Sequence, residues 1–341
     1  MNIYRALSET TKSKENIMIT IITGSNIGEK LLLSDGEKVF ISNEEVDWNR
    51  IIKKIPQDRK SRVITIEDKR IYIEFIHQSY QVVICGAGHI SMTLIKMCRM
   101  LELPVTVIDD RLSFANNAKA AGADKVICEP FEEALDKIKG DKSTFFIIVT
   151  RGHRYDQNCL ERIIKKDNAY IGMIGSRVRV SKVLNYLEKE RNISRSELDR
   201  VYTPIGLKIS AETPSEIAIS IMAQVIEVKN KVLGSSTFSN EVLRGILDEG
   251  HGDMSKALIT IVSRKGSAPR EIGTKMIVLK DGTMIGTIGG GCVESDIRQM
   301  ALSCMEQNQY KLEKVDMTGR DGEEDGMVCG GIIELFVEPV V

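Results

Sequence analysis

The sequence predicts an α/β chain in which a Rossmann-like, doubly wound parallel sheet is flanked by smaller, β-rich α+β units. Three observations predict it. Between 81 and 109 a strand, a glycine turn, a helix and a second strand follow one another. From there to about 230, β-branched runs alternate with helical patterns, which is how a parallel sheet with crossover helices reads in sequence. The segments 1–80 and 253–341 instead carry short strands punctuated by Asp-Gly turns.

A chain of 341 residues, 42% hydrophobic, buries a sizeable core and divides into two or three domains. Net charge is −1 and the basic residues are dispersed, so no electrostatic footprint for nucleic acid is expected. The opening residues lack the apolar core of a signal peptide, and no run approaches about 18 apolar residues. The expectation is a cytoplasmic protein with no membrane partner. Seven cysteines without a CxxC pair, most of them inside apolar runs, suit reduced core thiols. Cys292 and Cys329 stand apart, because each is set among glycines.

Taken in order, 1–80 reads as a small β-rich domain. Strands are expected at 17–22, 30–33, 39–41, 63–66 and 71–76, with a turn at Asp35-Gly36 and a short helix at 44–54. The nucleotide-binding domain follows at 81–230. Its first strand, 82–85, leads into Gly86, Gly88 and Ser91 at dinucleotide-turn spacing, with Ser91 where a third glycine would allow closer helix packing. Gly86 suits the tight turn and Gly88 lets backbone approach a phosphate at the helix N-terminus, with His89 shaping the turn. The strand 105–108 ends on Asp109, placed to accept hydrogen bonds from a ribose, with Arg111 two residues beyond.

Further strands are expected at 125–128, 145–149 and 170–174, and helices at 114–121, 132–138, 157–166 and 177–191. TRGHRYD (150–156) and IGMIGS (171–176) each follow a strand, so Arg151, His153, Asp156 and Gly175 belong to the rim where open α/β sheets bind ligands. His153 reads either as a proton shuttle or as polar surface. A last helix, 214–229, starts on Thr213 as N-cap and Pro214 as first residue. The stretch 231–252, Ser- and Gly-rich at its start, reads as a linker.

The final unit, 253–341, resembles the first. ALITIV at 257–262 matches IMITII at 17–22, and GTKMIVLKDGTMIGTI at 273–288 matches GEKLLLSDGEKVFIS at 28–42. IIELFVEPV at 332–340 parallels RIYIEFIHQ at 70–78. Three matches in one order indicate an internal duplication. Only the second copy carries GSAPREIG (266–273), GGGCVE (289–294) and GMVCGG (326–331), so the first reads as structural and the second as active. Gly289, Gly290 and Gly291 present backbone N–H groups to an anionic or oxygen-rich ligand. Cys292 and Cys329 suit a soft metal or sulfur transfer, with Glu294 beside the first. Arg270 and Lys275 add phosphate-binding cations, whereas Arg264, Lys265 and the acidic 321–325 stretch read as solvated loops.

Together these motifs resemble the XdhC/CoxI family of xanthine dehydrogenase accessory proteins. The resemblance covers 80–230 (CGAGHIS, VTVIDDR, TRGHRYD, IGMIGSRVRV) and 254–341 (GSAPRE, TIGGGCVES, GMVCGGIIELFVEP). It implies a protein that binds molybdenum cofactor, as molybdopterin or its dinucleotide form, supports its sulfuration and delivers it to a xanthine dehydrogenase-type molybdenum hydroxylase. A cysteine desulfurase is the second partner implied, and a homodimer the default assembly. Cys292 and Cys329 would then contact the molybdenum, Gly289–Gly291, Arg270 and Lys275 the pterin or phosphate, and Gly86, Gly88 and Asp109 a nucleotide portion. The family's usual order puts the GGGCVE domain before the Rossmann domain, and here it follows. Two rival readings are an NAD(P)-dependent oxidoreductase, for which only His153 offers a proton donor, and a nucleotide-sensing regulatory module.

Overall fold

A computed structural model describes residues 2–10, 15–76, 80–233, 238–247, 254–268, 270–289, 292–316 and 331–340. The chain divides into two units, Ser79–Leu233 and a discontinuous one formed by Met1–Gln78 with Gly234–Val341. The two β-rich ends of the sequence therefore build one body.

The first end holds α1 (Ile3–Glu9), β1 (Asn16–Ile21), β2 (Lys30–Ser34), β3 (Glu37–Ile41), α2 (Trp48–Ile52), β4 (Arg62–Ile66) and β5 (Lys69–Ile76). Asp35 and Gly36, at φ 50° and 84°, make the tight β2–β3 turn that the Asp-Gly pair predicts. All pairings are antiparallel, in the order β3-β2-β1-β5-β4. Period-2 alternation divides β1 between two faces. Ile17, Ile19 and Ile21 pack with Trp48 and Ile51 of α2, while Met18 joins the opposite face.

The Ser79–Leu233 unit contains β6 (Gln81–Cys85), α3 (His89–Met100), β7 (Val105–Ile108), α4 (Leu112–Ala121), β8 (Lys125–Ile127), α5 (Phe131–Asp136), β9 (Thr144–Ile148), α6 (His153–Ile163), β10 (Tyr170–Met173), α7 (Arg177–Arg191), α8 (Arg195–Leu198) and α9 (Pro214–Leu233). Its five strands are parallel, in the order β10-β9-β6-β7-β8. The order reverses beside β6, which opens a crevice at the carboxyl ends of β6 and β9. One face of the sheet packs on α5, α6 and α7, the other on α3 and α9. Thr213 Oγ1 accepts from Glu216 N while Glu216 accepts from Thr213 N, so the expected N-cap is a reciprocal capping box.

The last segment holds α10 (Asn240–Ile246), β11 (Lys256–Gly266), β12 (Lys275–Leu279), β13 (Met284–Gly286), α11 (Cys292–Gln307), β14 (Lys311–Asp316) and β15 (Gly331–Val340). Its sheet order, β13-β12-β11-β15-β14, repeats that of the first copy strand for strand. Leu258, Ile277 and Leu279 of this sheet share one core with Met18, Leu32 and Ile76 of the other. Ala257, Ile259 and Ile261 face α11 through Ile297 and Ala301.

Several expectations are corrected. The linker expected over 231–252 is partly helix: α9 continues to Leu233, and Val242 and Ile246 of α10 are buried under the second sheet. A short amphipathic helix is hard to distinguish from a polar connector by periodicity alone. The third sequence match also shifts by two residues. Thr20 lies opposite Tyr72 and Thr260 opposite Phe336, so Tyr72 corresponds to Phe336 and Arg70 to Glu334, not to Ile332. A shift of two leaves every side chain on its face, so alternation could not fix the register.

Candidate functional site

At the carboxyl edge of the parallel sheet, Gly86 adopts φ +106°, and a Cβ there would lie 2.6 Å from the carbonyl oxygen of Val149. Glycine is thus required where β6 meets the end of β9. Gly88 is the N-cap of the 12-residue α3, makes no side-chain cap, and has open space where a Cβ would stand. That leaves the side where a Cβ would stand open beside the first turn of the helix. Ser91 is fully buried, and its Oγ donates to Gly86 O at 2.6 Å. The serine therefore closes the turn and does not loosen it. His89 is exposed on the first turn of α3.

Asp109 corrects the expectation of a ribose acceptor. It is fully buried, with Oδ2 accepting from Ala87 N at 2.8 Å and from Arg111 Nη2 at 2.9 Å, and Oδ1 from Arg111 Nε at 2.9 Å. Burial alone would raise its pKa, but the Arg111 and Ala87 hydrogen bonds outweigh it and hold the carboxyl below its ordinary value. Its work is to fasten the glycine turn to the end of β7. The neighbouring Asp110, which the sequence reading passed over, holds Arg151 through Oδ1 at 2.5 Å and Oδ2 at 2.8 Å. The signal was the doubled acid at the strand end. Arg111 stacks on Phe114 and Arg151 on Tyr155, with guanidinium carbons 3.5 and 4.0 Å from the ring centroids. Two oriented guanidinium groups therefore stand on the edge that carries the open turn.

His153 is the exposed first residue of α6, and Gly175, at φ +154°, precedes Ser176, the N-cap of α7. Asp156 is buried, and its Oδ1 accepts from Thr150 Oγ1 and N at 2.6 and 3.2 Å. Burial pushes this carboxyl up to about 6. Cys85 and Cys159 are both buried, and burial, then the hydrogen bond to Cys85, pushes the Cys159 thiol up.

In the last segment the register brings the described ends of the three motifs to one end of the sheet. The carboxyl ends of β11 and β13 and the amino ends of β12 and β15 lie together there. Gly266 pairs with Gly331, and a Cβ on Gly331 would lie 2.7 Å from Ser267 O, so GSAPREIG and the end of GMVCGG pack backbone to backbone. After β13, Gly289 takes φ +147° and the chain turns into α11, a 16-residue helix that begins at Cys292. The glycine-flanked sequence pattern predicts no helix there. Glu294 Oε1 accepts from Thr287 Oγ1 at 2.6 Å and from Ile288 N at 3.2 Å, tying the strand end to the helix across the glycines. That contact makes Glu294 a positioning residue, with Thr287 its unforeseen partner.

Lys275 is a second correction. Its ammonium is buried in an ion pair with Glu74, donates to Gly273 O at 3.0 Å and lies 4.3 Å from the Phe238 ring centroid. It belongs to the core between the two sheets, whereas Arg270 is exposed on the motif loop. Arg264 pairs with Glu271. Gly290, Gly291, Cys329 and the side chain of Cys292 lie outside the described residues. Among the described residues no group of three or more His, Cys, Asp or Glu is placed to hold a metal ion, and no helix is long and apolar enough to cross a membrane.

Comparison with known proteins finds relatives of part of this chain. A probable xanthine dehydrogenase subunit of Bacillus subtilis is 25% identical over 162 residues, 48% of this chain and 47% of that protein. The uncharacterised protein YqeB of Escherichia coli is 28% identical over 155 residues, 45% of this chain and 28% of that protein. The matched part thus spans less than half the length of either relative. A crystal structure of a xanthine dehydrogenase from Bacillus halodurans covers 67% of this chain and 93% of its own, at 20% identity and a TM-score of 0.41. The XdhC Rossmann domain matches residues 82–225, and the XdhC and CoxI family matches residues 253–316. With both family segments present and covering well over half of its length, the chain belongs to the XdhC/CoxI family.

Proposed function

We propose that this chain is a cytoplasmic accessory protein of a xanthine dehydrogenase-type molybdenum hydroxylase. It binds molybdenum cofactor as cargo, supports sulfuration of that cargo with a cysteine desulfurase, and hands it to the client. The observation that carries this reading is the presence of both family segments in one chain, the Rossmann domain and the GGGCVE-bearing domain. The printed name of the Bacillus subtilis relative supports a client of xanthine dehydrogenase type.

In this reading each of the chain's own groups has a part. The open N-terminus of α3 at Gly88 fits an anionic phosphate, with Arg111 and Arg151 supplying charge at the rim. A phosphate of the cargo's dinucleotide form, or of NAD(P) or another nucleotide, meets that requirement. Since Asp109 is closed over by Arg111, recognition there rests on phosphate more than on ribose hydroxyls. At the other site Cys292 opens α11 beside the glycines, where a helix N-terminus favours the thiolate. Cys329 in the neighbouring motif supplies the second soft ligand. Arg270 sits on the adjoining loop.

Protein purified from a molybdenum-replete host tests the reading through its molybdenum and fluorescent-pterin content. The full-length chain should retain both and activate apo-hydroxylase. Absence of pterin together with failure to activate the client would contradict the proposal.

A further inference from the structure

The two β copies pack about a pseudo-two-fold axis, and the strand register shows where it runs. Thr20 lies opposite Lys30 and Tyr72 in the first sheet, and Thr260 opposite Lys275 and Phe336 in the second. Counting along the same strands, Glu74 corresponds to Glu338 and Arg70 to Glu334. The ion pairs between the copies then fall into two kinds. Lys30 with Glu338, and Lys275 with Glu74, are one buried contact made twice, the lysine of each copy meeting the glutamate of the other.

Arg70 and Glu334 differ, because they are corresponding positions that touch each other. The guanidinium donates to the carboxylate through Nη1–Oε1 at 3.0 Å and Nη2–Oε2 at 2.7 Å. Corresponding positions meet only beside a two-fold axis. Ile22 with Val262 and Tyr72 with Phe336 cluster there in the same way.

That placement has a consequence for pairing. The Lys–Glu contacts would form equally well between two first copies or two second copies, so they bind without selecting. An axis position in a like pair faces itself, arginine against arginine or glutamate against glutamate. The selection has a competitor to work against. The whole Ser79–Leu233 unit separates the copies in the chain, so no short tether enforces pairing within one molecule. A second chain presents the same faces.

We infer that Arg70 and Glu334 are the selectivity element of this interface, joining a first copy to a second copy and rejecting like copies of neighbouring chains. The surface they mark is built for a partner of opposite charge at the axis. This inference is independent of what the motif loops bind.

Charge reversal in the full chain tests it. In R70E the axis holds two glutamates and in E334R two arginines, so each variant should melt roughly 2–4 °C or more below wild type. R70E/E334R restores an opposite pair and should recover the wild-type midpoint as a chain that pairs with itself. The two single variants, unfolded in urea and refolded together, can satisfy both axes only by exchanging copies. Native mass spectrometry of that mixture should show heterodimer at about tenfold or more over the level from mixed wild-type chains. If R70E/E334R melts as low as the single variants, or the mixture yields no excess heterodimer, the axis pair does not choose the partner and the inference fails.

Discussion

The two β copies have the same strand order and the same helix positions, yet they differ at one end of the sheet. In the first, β3 leads to the five-residue α2, and β4 joins β5 through a turn at Glu67 and Asp68. In the second, β13 leads through glycines into the 16-residue α11, and residues 317–330 separate β14 from β15. The opposite face of each sheet is much alike in both copies, because each must cover the other. A duplicated fold thus kept its packing face in both copies and its motif loops in one. The first copy is the second copy's partner, whatever chemistry it lacks.

The largest effect should come from removing that partner. A chain beginning at residue 79 would strip the first copy's side chains from Leu258, Ile277 and Leu279, leaving them to α10, and would take Glu74 from Lys275. Hydrogen exchange should then show 254–340 unprotected while β6, β7 and β9 stay protected. Wild-type protection in the last segment would show that its sheet stands alone and would break the comparison.

Next in size is the buried lysine–glutamate contact, which occurs twice. Lys275→Met leaves the Glu74 carboxylate in the core without its ammonium and should cost about 3–5 kcal/mol in urea unfolding. Lys30→Met removes the matching ammonium from Glu338, which also accepts from Tyr4 Oη at 2.5 Å, and should cost a comparable amount. A loss at one lysine and not at the other would show that the two copies of the contact are not equivalent.

A smaller contrast lies in the glycines. Gly331→Ala sets a Cβ 2.7 Å from Ser267 O and should destabilise by about 1–3 kcal/mol. Gly36→Ala, in the first copy's turn, meets nothing within 4 Å and should cost only the left-handed strain, about 1 kcal/mol. The reverse ranking would place the tight backbone packing elsewhere.

The smallest is a pH effect at the axis. Arg70's hydrogen bond lowers the Glu334 pKa from its ordinary 4.5, so the pair's stabilisation is present above that value and fades as pH falls through the depressed one. An R70M/E334M chain should therefore lose less stability between pH 5 and pH 3, a window chosen about that value. An identical acid profile would remove the axis pair from the acid response.

Much of this was legible in the sequence, and the gaps have physical causes. Gly86 marked the turn because only glycine tolerates φ +106° and close backbone contact there, and Gly88 marked the open start of α3. The duplication was visible because Thr20 and Thr260, and Lys30 and Lys275, recur within matching strands. The role of Lys275 was not visible, because a buried lysine and a ligand-binding lysine look alike until Glu74, distant in sequence, is brought to it. Asp109 misled for the same reason: a strand-end acid reads as a ribose acceptor until Arg111 is seen folding back on it. α11 was hidden behind glycines that discourage a helix at its first turn, yet Ile297, Ala301 and Cys304 bury a helical stripe against the sheet.

That the second of the two β copies handles cargo and the first does not is what the proposed function requires. Its most direct test is activation of apo-hydroxylase by full-length chains carrying Cys292→Ala or, at the matching loop of the first copy, Glu44→Ala. The account predicts that Cys292→Ala loses most of the activation and the bound pterin while melting as wild type does, and that Glu44→Ala keeps both. Full activation by Cys292→Ala, or an equal loss with Glu44→Ala, would contradict it.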